Sequence, residues 1–280
     1  MQPIFPKTTI EEIEVSRLII GCNWISGFSH RTFSQDQLIK DRHYATDLTV
    51  KILETFLSYD INCILGLFDY DRHLTDAIRQ AEKTCRTKMI IIDEPVFPVD
   101  DTPESRREAG RIIRESAARG TSICMPLHSV FEQLLNKNTH KIDRIEDYLY
   151  MIREAGMVPG ASAHMPEIVE YCDENDYDVQ TYIQIYNCQG FLMQRDVEET
   201  ARLIHNARKP VLTIKSMAAG RLSPFVGLNF VWNTIRDQDM VAVGCFTEKE
   251  ALEDIEYSLA ALQKRMPGTT SLPDSHRTAP

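Results

Sequence analysis

Several features that mark special classes of protein are missing from this 280-residue sequence. No apolar run approaches the roughly 18 residues that a membrane-spanning helix needs, and the N-terminus has no basic segment followed by an apolar core. We therefore expect neither a membrane span nor a signal peptide, and a cytoplasmic location. Basic residues are also in deficit, 31 against 41 acidic ones, for a net charge of −10. This deficit predicts that neither nucleic acid nor an anionic membrane is a partner.

The cysteines lack the pattern of a disulfide framework or a zinc site. There are seven of them, an odd number, no two are spaced as Cys-x-x-Cys, and most lie inside apolar runs. This pattern favours reduced thiols in the core. What is present, 43% hydrophobic and 26% charged residues, is the composition of an ordinary globular protein.

Short β-rich runs alternate with amphipathic segments along the chain. The β-rich runs are residues 18–21, 62–67, 89–92, 121–125, 158–161, 181–186, 211–214 and 240–244. The segments with helical spacing are residues 43–58, 73–85, 103–118, 141–155, 165–175, 196–208, 222–236 and 247–264. Eight β-then-α units of about 35 residues each suit parallel βαβ crossovers, and the first turn has no G-x-G-x-x-G that would favour an open dinucleotide-binding sheet. The sequence therefore predicts an α/β fold, a (β/α)8 TIM barrel in one domain (1–266), followed by a loose tail (267–280).

Polar side chains follow most of the predicted strands. In a (β/α)8 barrel the loops at the carboxyl ends of the strands meet at one mouth, where the chemistry takes place. The residues expected there are Asn23, Trp24, His30, Asp69, Tyr70, Asp71, Asp93, Glu94, His128, Ser162, His164, Tyr186, Asn187, Gln189, Lys215, Ser216 and Cys245. The sequence thus predicts a functional site at this mouth, although Asp69 and Asp71 are better explained as caps of the following helix.

Many of these residues lie in segments that resemble the aldo-keto reductases, a barrel family that reduces carbonyl groups with NADPH. The similar segments, in family order, are residues 15–21, 60–62 with Tyr70, 86–91, 127–128, 160–167, 186–187, 216–220 and 243–244. The resemblance extends over residues 15–260 and implies an aldo-keto reductase-like TIM barrel. It also implies catalysis by a tyrosine proton donor, supported by a histidine, a lysine and an aspartate.

The chain departs from the family at two of those four catalytic positions. Tyr70 and His128 occupy the tyrosine and histidine positions, but Leu65 stands at the aspartate position and Glu94 at the lysine position. A carboxylate beside a tyrosine raises the pKa of the phenol, whereas a lysine lowers it. We therefore expect Tyr70 to lack the activation that the family gives its tyrosine.

The segments that resemble the NADPH site are changed as well. Ser162 is retained, and Tyr186 matches the ring that stacks on the nicotinamide, but Ala163 and Ile183 replace the amide side chains that would hold its carboxamide. After the last strand, where the family places basic residues for the cofactor phosphate, this chain has Glu248 and Glu250 beside Lys249. The sequence predicts that NADPH chemistry has been lost.

In place of the reductase site, the strand ends offer ligands for a divalent metal: Glu94, His128 and His164. The sequence thus predicts a metal-dependent or acid/base lyase, isomerase, epimerase or hydrolase that acts on a small polar, sugar-derived substrate. The expected catalytic residues are Glu94 as ligand or base, His128 as ligand or acid/base group, Tyr70 as donor, and Lys215 as an electrophilic or anion-holding group. The expected substrate-binding residues are Asn23, Trp24, Asp69, Ser162, Tyr186 and Asn187.

Two other functions stay open, an atypical NAD(P)H-dependent oxidoreductase and a non-catalytic binding barrel. Two residues also have structural explanations, because His164 can open the next helix and Glu94 can form an ion pair with Lys215. The apolar residues of segment 222–236 exceed what one barrel-facing stripe requires, which predicts a contact in a homo-oligomer. These residues are Phe225, Phe230, Val231 and Trp232.

Overall fold

The structure, a computed structural model, describes residues 3–44 and 47–268, and its centre is a parallel β-barrel. The barrel strands are β1 (Leu18–Gly21), β2 (Cys63–Gly66), β3 (Ile90–Asp93), β4 (Ile123–Cys124), β5 (Val158–Pro159 and Ala161–Ala163), β6 (Tyr182–Ile185), β7 (Val211–Ile214) and β8 (Met240–Val243). Each strand pairs with the next along the chain, and β8 pairs with β1. The two parts of β5 pair with β4 and β6, so the barrel is nearly closed. The predicted TIM barrel is confirmed.

Gly160 divides the fifth strand. Its N–H donates to the carbonyl oxygen of Cys124 at 3.0 Å, so the contact with β4 continues across the break. A Cβ at this position would lie 2.9 Å from the Cε and Cγ atoms of Met125 and 3.0 Å from Cγ2 of Thr181. Glycine is favoured here because the side chains of Met125 and Thr181 fill the space that a Cβ would occupy.

Helices surround the barrel. In the part of the chain that the structure describes they are α1 (Asn23–Ser26), α2 (Phe33–Tyr44), α3 (Leu48–Leu57), α4 (Arg72–Cys85), α5 (Pro103–Ala118), α6 (His128–Leu134), α7 (Ile145–Glu154), α8 (Pro166–Glu174), α9 (Val197–Asn206), α10 (Pro224–Thr234) and α11 (Glu248–Leu262). The side chain of Asp71 accepts from the Leu74 N–H at 3.0 Å, so Asp71 caps α4. Thr247 and Glu250 form a capping box at the start of α11.

The structure differs from the predicted elements in several places, one of which is the four-residue helix α1, which was not predicted. The segment predicted over 43–58 is the end of α2 and the whole of α3, and most of α2 was not predicted because it buries little beyond Ile39 and His43. Helix α6 was not predicted either, since it is shorter than two full turns. Two short antiparallel hairpins complete the differences: Lys7–Ile10 with Ile13–Ser16, and Leu135–Asn136 with Lys141–Ile142.

The core has two layers. The larger one lies between the barrel and its helices, and a smaller apolar cluster fills the barrel interior. Ile10 and Val15 of the first hairpin belong to the interior cluster, so this hairpin covers the amino-terminal end of the barrel. All seven cysteines are free thiols and five of them are buried, as the sequence predicts. The interior is therefore closed by apolar packing at one end, and polar groups collect at the other.

The apolar face of α10 is mostly packed within the chain. Val231 and Trp232 are buried, and the Trp232 ring lies 5.9 Å from the Phe5 ring. Phe225 and Val226 remain exposed, so the surface offered for an oligomer contact is smaller than the sequence predicts. From residue 269 onward the predicted loose tail lies outside the described residues. Over the described residues, no helix combines the length and the apolar character needed to cross a membrane.

Candidate active site

A cavity of about 660 Å³ opens at the carboxyl ends of the strands. Six of the residues expected at the mouth line it: Asn23, Trp24, His30, Glu94, Lys215 and Ser216. Other polar side chains in its wall include Arg31, Arg221, Glu250, Glu253 and Asp254. Loops after β1, β3, β7 and β8 therefore contribute to one pocket, which is large enough for a small polar molecule.

Glu94 follows β3 and is partly buried in the cavity wall. Its N–H donates to the carbonyl oxygen of Gly66 at 3.0 Å, and its Oε1 accepts from the Ser162 hydroxyl at 2.8 Å. Burial raises the pKa of Glu94 to about 7, although the Ser162 hydrogen bond and the charge of Lys215 act in the opposite direction. At neutral pH both protonation states of Glu94 are populated, so this carboxyl group can take up or release a proton.

Lys215 follows β7 and is partly buried in the same cavity. Its backbone is left-handed, with φ of 59°, a conformation that is uncommon outside glycine. Burial lowers the pKa of the Lys215 ammonium, while the charge of Glu94 raises it. Among the described residues, Nζ of Lys215 has no hydrogen-bond or ion-pair partner. The structural ion pair with Glu94 that the sequence leaves open is therefore not formed at direct contact.

The imidazole rings of two histidines stack on each other near Glu94 and Lys215. The rings of His128, at the start of α6, and His164, after β5, have centroids 3.7 Å apart and an interplanar angle of 17°. Oε1 of Glu132 lies 3.2 Å from Nδ1 of His128. One donor atom from each of His128, Glu132 and His164 lies within 4.8 Å of the others, a spacing that could hold a metal ion. Burial lowers the pKa of His164 to about 3, which keeps this imidazole neutral, as ligation requires.

The third member of this group differs from the predicted metal set. The sequence predicts Glu94 together with His128 and His164, but Glu94 contacts Ser162, and the carboxylate beside the imidazoles is Glu132. Glu132 lies four residues after His128, the spacing that places two side chains on one face of a helix. It was missed because α6 itself was not predicted.

Asp69 lies outside the mouth cavity. Its carboxylate pairs with Nη1 of Arg119 at 2.5 Å, and Nη2 of the same arginine pairs with the fully buried Asp93 at 2.9 Å. The Ser116 hydroxyl also donates to Asp93, at 2.5 Å. Asp69 therefore belongs to an ion-pair group with Arg119 and Asp93 that stabilises the packing of β3 against α5. This structural role accounts for the carboxylate of Asp69, so no contact with a substrate is needed to explain it.

Two further predicted substrate-binding residues are enclosed by the protein. Tyr186 is buried, with its ring 5.2 Å from the Phe230 ring. Asn187 is also buried, donates to the Phe191 carbonyl oxygen at 3.0 Å and accepts from the Phe191 N–H at 2.9 Å, which closes the loop after β6. Both side chains are used for internal packing instead of facing the cavity. The side chain of Tyr70, the predicted donor, lies outside the described part of the structure.

The wall of the cavity does not fit a nicotinamide dinucleotide phosphate. Ser162 donates to Glu94, and Ile183, its neighbour in register on β6, packs in the apolar interior of the barrel. At the start of α11 the carboxylate of Glu250 accepts from the N–H groups of Phe246 at 2.6 Å and Thr247 at 3.3 Å. A cofactor phosphate would have to displace this carboxylate from the amides that could bind it.

The carboxyl group of Asp254, close to Glu250, also makes this part of the cavity unsuitable for a cofactor phosphate. Asp254 is buried one turn further along α11 and also lines the cavity. Burial raises the pKa of Asp254 well above its usual range, and the nearby charges of Glu250 and Glu253 act in the same direction. Negative charge is thus already unfavourable at the start of α11, and a further anionic group placed at this point would be unfavourable for the same reason.

No protein-family model matches this sequence, and no curated protein matches it either. Solved structures share its fold. A putative aldo-keto reductase from Pseudomonas aeruginosa is 15% identical, with a TM-score of 0.66 and coverage of 94% of this chain and 99% of the other. An aldo-keto reductase from Klebsiella pneumoniae, solved in complex with NADP and acetate, is 14% identical, with a TM-score of 0.56 and coverage of 94% and 92%.

An aldose reductase from Giardia lamblia is also similar, at 12% identity and a TM-score of 0.53, over 91% of this chain and 89% of the other. At these identities the likeness shows the fold alone. The chain therefore has the aldo-keto reductase-like TIM barrel that the sequence resemblance implies. A shared fold does not determine the chemistry, which depends on the residues of the site.

Proposed function

We propose that this barrel is a non-redox enzyme that moves a proton next to the carbonyl group of a small polar substrate, as isomerases, epimerases and lyases do. The observation that carries the proposal is the placement of Glu94 and Lys215 in the wall of one cavity at the carboxyl ends of the strands. A sugar-derived compound suits the size and polarity of this cavity.

Glu94 is the proton carrier. A general base works best when its pKa is close to the operating pH, and burial brings the pKa of Glu94 to about 7. The hydrogen bond from Ser162 limits the rotation of the carboxyl group and leaves lone pairs on both oxygens. Glu94 is therefore oriented as well as tuned for taking a proton from a substrate carbon.

Lys215 supplies the electrophilic group. Proton abstraction next to a carbonyl places negative charge on the carbonyl oxygen, and a cation that faces this oxygen stabilises the charge. The ammonium of Lys215 lines the cavity without a direct partner among the described residues, so it is available to the substrate. The two residues then perform complementary roles: Glu94 removes the proton, and Lys215 stabilises what remains.

A metal-assisted version is the second candidate, because His128, Glu132 and His164 lie together near the mouth. A divalent ion held there would polarise a substrate oxygen or activate water. Two imidazoles and one carboxylate are a ligand set that zinc accepts, and a site of this kind would leave a coordination position open. A metal-activated water would also support the hydrolase activity that the sequence predicts.

Deuterium exchange tests the proposal without knowledge of the product. The purified full-length protein is incubated in D₂O with separate probes, dihydroxyacetone, glyceraldehyde, dihydroxyacetone phosphate and pyruvate, and exchange at the carbon next to the carbonyl is followed by NMR. We expect accelerated exchange with at least one probe, and a loss of about 100-fold or more in Glu94→Gln.

The matched control for this experiment is Glu248→Gln. Glu248 is an exposed carboxylate of α11 that does not contribute to the hydrogen bonds of the cavity wall. Exchange at the wild-type rate is expected in this variant. Absence of exchange with every probe, or equal exchange in wild type and Glu94→Gln, would overturn the proposed function.

The proposed function includes expectations about the substrate, the partners and the location of the protein. A small-molecule substrate, no nucleic-acid or membrane partner and a cytoplasmic location are consistent with the net charge of −10. A contact between copies of the chain would use the exposed Phe225 and Val226 of α10.

A further inference from the structure

The amine of Lys215 has an environment that differs from that of a surface lysine. It lies in the wall of the mouth cavity, partly buried, on a residue whose left-handed backbone turns the chain out of β7. Lys88, an exposed lysine, pairs with the carboxylate of Glu82 at 2.9 Å. Lys215 has no such partner within the described residues, although Glu94 is near enough to interact with it electrostatically.

Burial favours the neutral form of Lys215, although the charge of Glu94 acts in the opposite direction. Burial lowers the pKa of the ammonium, and the groups that interact with it are Glu94, His30 and His164. Burial also lowers the pKa of both imidazoles, so they are uncharged at neutral pH and neither adds a positive charge. A lysine that loses its proton more easily than usual is a nucleophile for carbonyl carbon, because the neutral amine carries the lone pair.

We propose that Lys215 forms a Schiff base with an aldehyde or ketone substrate, and that Glu94 moves the protons of its formation and use. This inference rests on the proposed function and deepens it, since it changes Lys215 from a cation that stabilises charge into a covalent catalyst. The geometry that supports it is the shared cavity, in which the amine and the carboxyl group face one substrate-sized space.

The steps balance without an oxidant or reductant. The Nζ lone pair attacks the carbonyl carbon, a C–N bond forms as the C=O π bond breaks, and one proton passes from the nitrogen to the oxygen to give a carbinolamine. Protonated Glu94 gives its proton to the hydroxyl group, the C–O bond breaks, and water leaves as the iminium forms. The Glu94 carboxylate then takes a proton from the adjacent carbon, whose electron pair passes to the iminium nitrogen. Return of a proton and hydrolysis by water release the product and the free amine.

The cations of the cavity indicate the chemical class of the substrate. Arg31 lines the mouth and is held by hydrogen bonds to the carbonyl oxygens of Ala219 at 3.2 Å and Gly220 at 2.9 Å. Arg221 lines it too, with its guanidinium carbon 4.1 Å from the centre of the Phe191 ring. Two positioned guanidinium groups suit a carboxylate or phosphate. The substrate is therefore a small aldehyde or ketone that carries one anionic group.

Borohydride trapping tests the covalent step. The wild-type protein is incubated separately with pyruvate, glyoxylate, dihydroxyacetone phosphate and glyceraldehyde 3-phosphate, sodium borohydride is added, and intact mass and peptide mapping locate the reduced adduct. We expect one adduct per chain with at least one probe, on the peptide that contains Lys215. Lys215→Arg should lower the trapped fraction by about tenfold or more, whereas Lys88→Arg should trap as the wild type does.

The outcomes separate this inference from the proposed function. Absence of any adduct on Lys215 in the wild type, or equal trapping in Lys215→Arg, overturns the Schiff base, even where Glu94-dependent deuterium exchange continues. An adduct on Lys215 without deuterium exchange supports the Schiff base and overturns the role of Glu94 as base. Because peptide mapping is performed on the wild type, the test does not depend on the folding of a variant.

Discussion

Glu94, after β3, and Lys215, after β7, line one cavity. Burial raises the pKa of Glu94 and lowers the pKa of Lys215, so it favours the neutral form of each. The charge of each residue acts against this shift in the other, because opposite charges favour each other's ionised states. Glu94, with a pKa of about 7, is thus populated in both its ionised and its neutral form at neutral pH. This balance is what general acid/base chemistry requires, and it has consequences for both stability and activity.

The free energy of unfolding should depend on pH through Glu94. Its pKa rises from 4.5 in the reference state to about 7 in the folded chain, so the folded chain binds this proton more tightly. Stability is therefore lost as the pH rises from about 4.5 to 7, by up to about 3 kcal/mol. Urea unfolding at pH 5 and pH 8 should show that Glu94→Gln gains stability relative to wild type as the pH rises. A pH-independent difference between the two proteins would contradict the raised pKa.

The deuterium-exchange rate should follow the ionisation of the same group. The base is the carboxylate form of Glu94, whose fraction increases as the pH passes about 7. Exchange by the wild type should rise between pH 6 and pH 8 and then level off. A profile that is flat across this range would show that a different group takes the proton.

Arg119 should be important for stability but not for catalysis. It pairs with Asp69 and with the fully buried Asp93, and loss of one partner of a buried pair leaves a charge uncompensated. We expect Arg119→Met to lower the free energy of unfolding by about 3–5 kcal/mol. Arg107→Met, which removes an exposed pair with Glu104, is the control and should change it by less than about 1 kcal/mol. Chemical denaturation measures both, and similar losses in the two variants would contradict the structural role.

Zinc should bind at the imidazole group if the metal-assisted version is correct. Calorimetric titration of chelator-treated protein with Zn²⁺ should show one site per chain, and His164→Ala and Glu132→Gln should each weaken binding by about tenfold or more. His205→Ala is the control, because His205 lies on α9 and contacts the Thr234 carbonyl oxygen. Undiminished binding in both ligand variants would remove this candidate.

NADPH and NADH should not bind with low-micromolar affinity. Trp24 lines the cavity, so a dinucleotide seated there would quench its fluorescence. We expect no saturable quenching, since Glu250 already occupies the amides at the start of α11. Replacing Trp24 with Phe distinguishes quenching in the cavity from quenching of Trp232. Saturable, Trp24-dependent quenching in the micromolar range would overturn the non-redox proposal in favour of the oxidoreductase.

The alternation of β-rich runs and amphipathic segments was enough to predict the barrel, because hydrophobic periodicity and helix caps are local properties of the sequence. The same local pattern failed for α2, whose buried side is small, and for the short α6. The strand ends also directed attention to Glu94, Lys215, His128 and His164, because parallel strands bring their carboxyl ends to one mouth.

Which of those groups act together was decided by the tertiary structure. Sequence order cannot show that Glu94 contacts Ser162 while Glu132 approaches His128, because these contacts depend on side-chain direction and helix placement. It cannot show either that Arg119 takes up Asp69. The sequence by itself thus determined the fold and the end of the barrel that carries the chemistry. Burial and packing, which exist only in the folded chain, decided which side chains form the cavity and which pKa values are shifted.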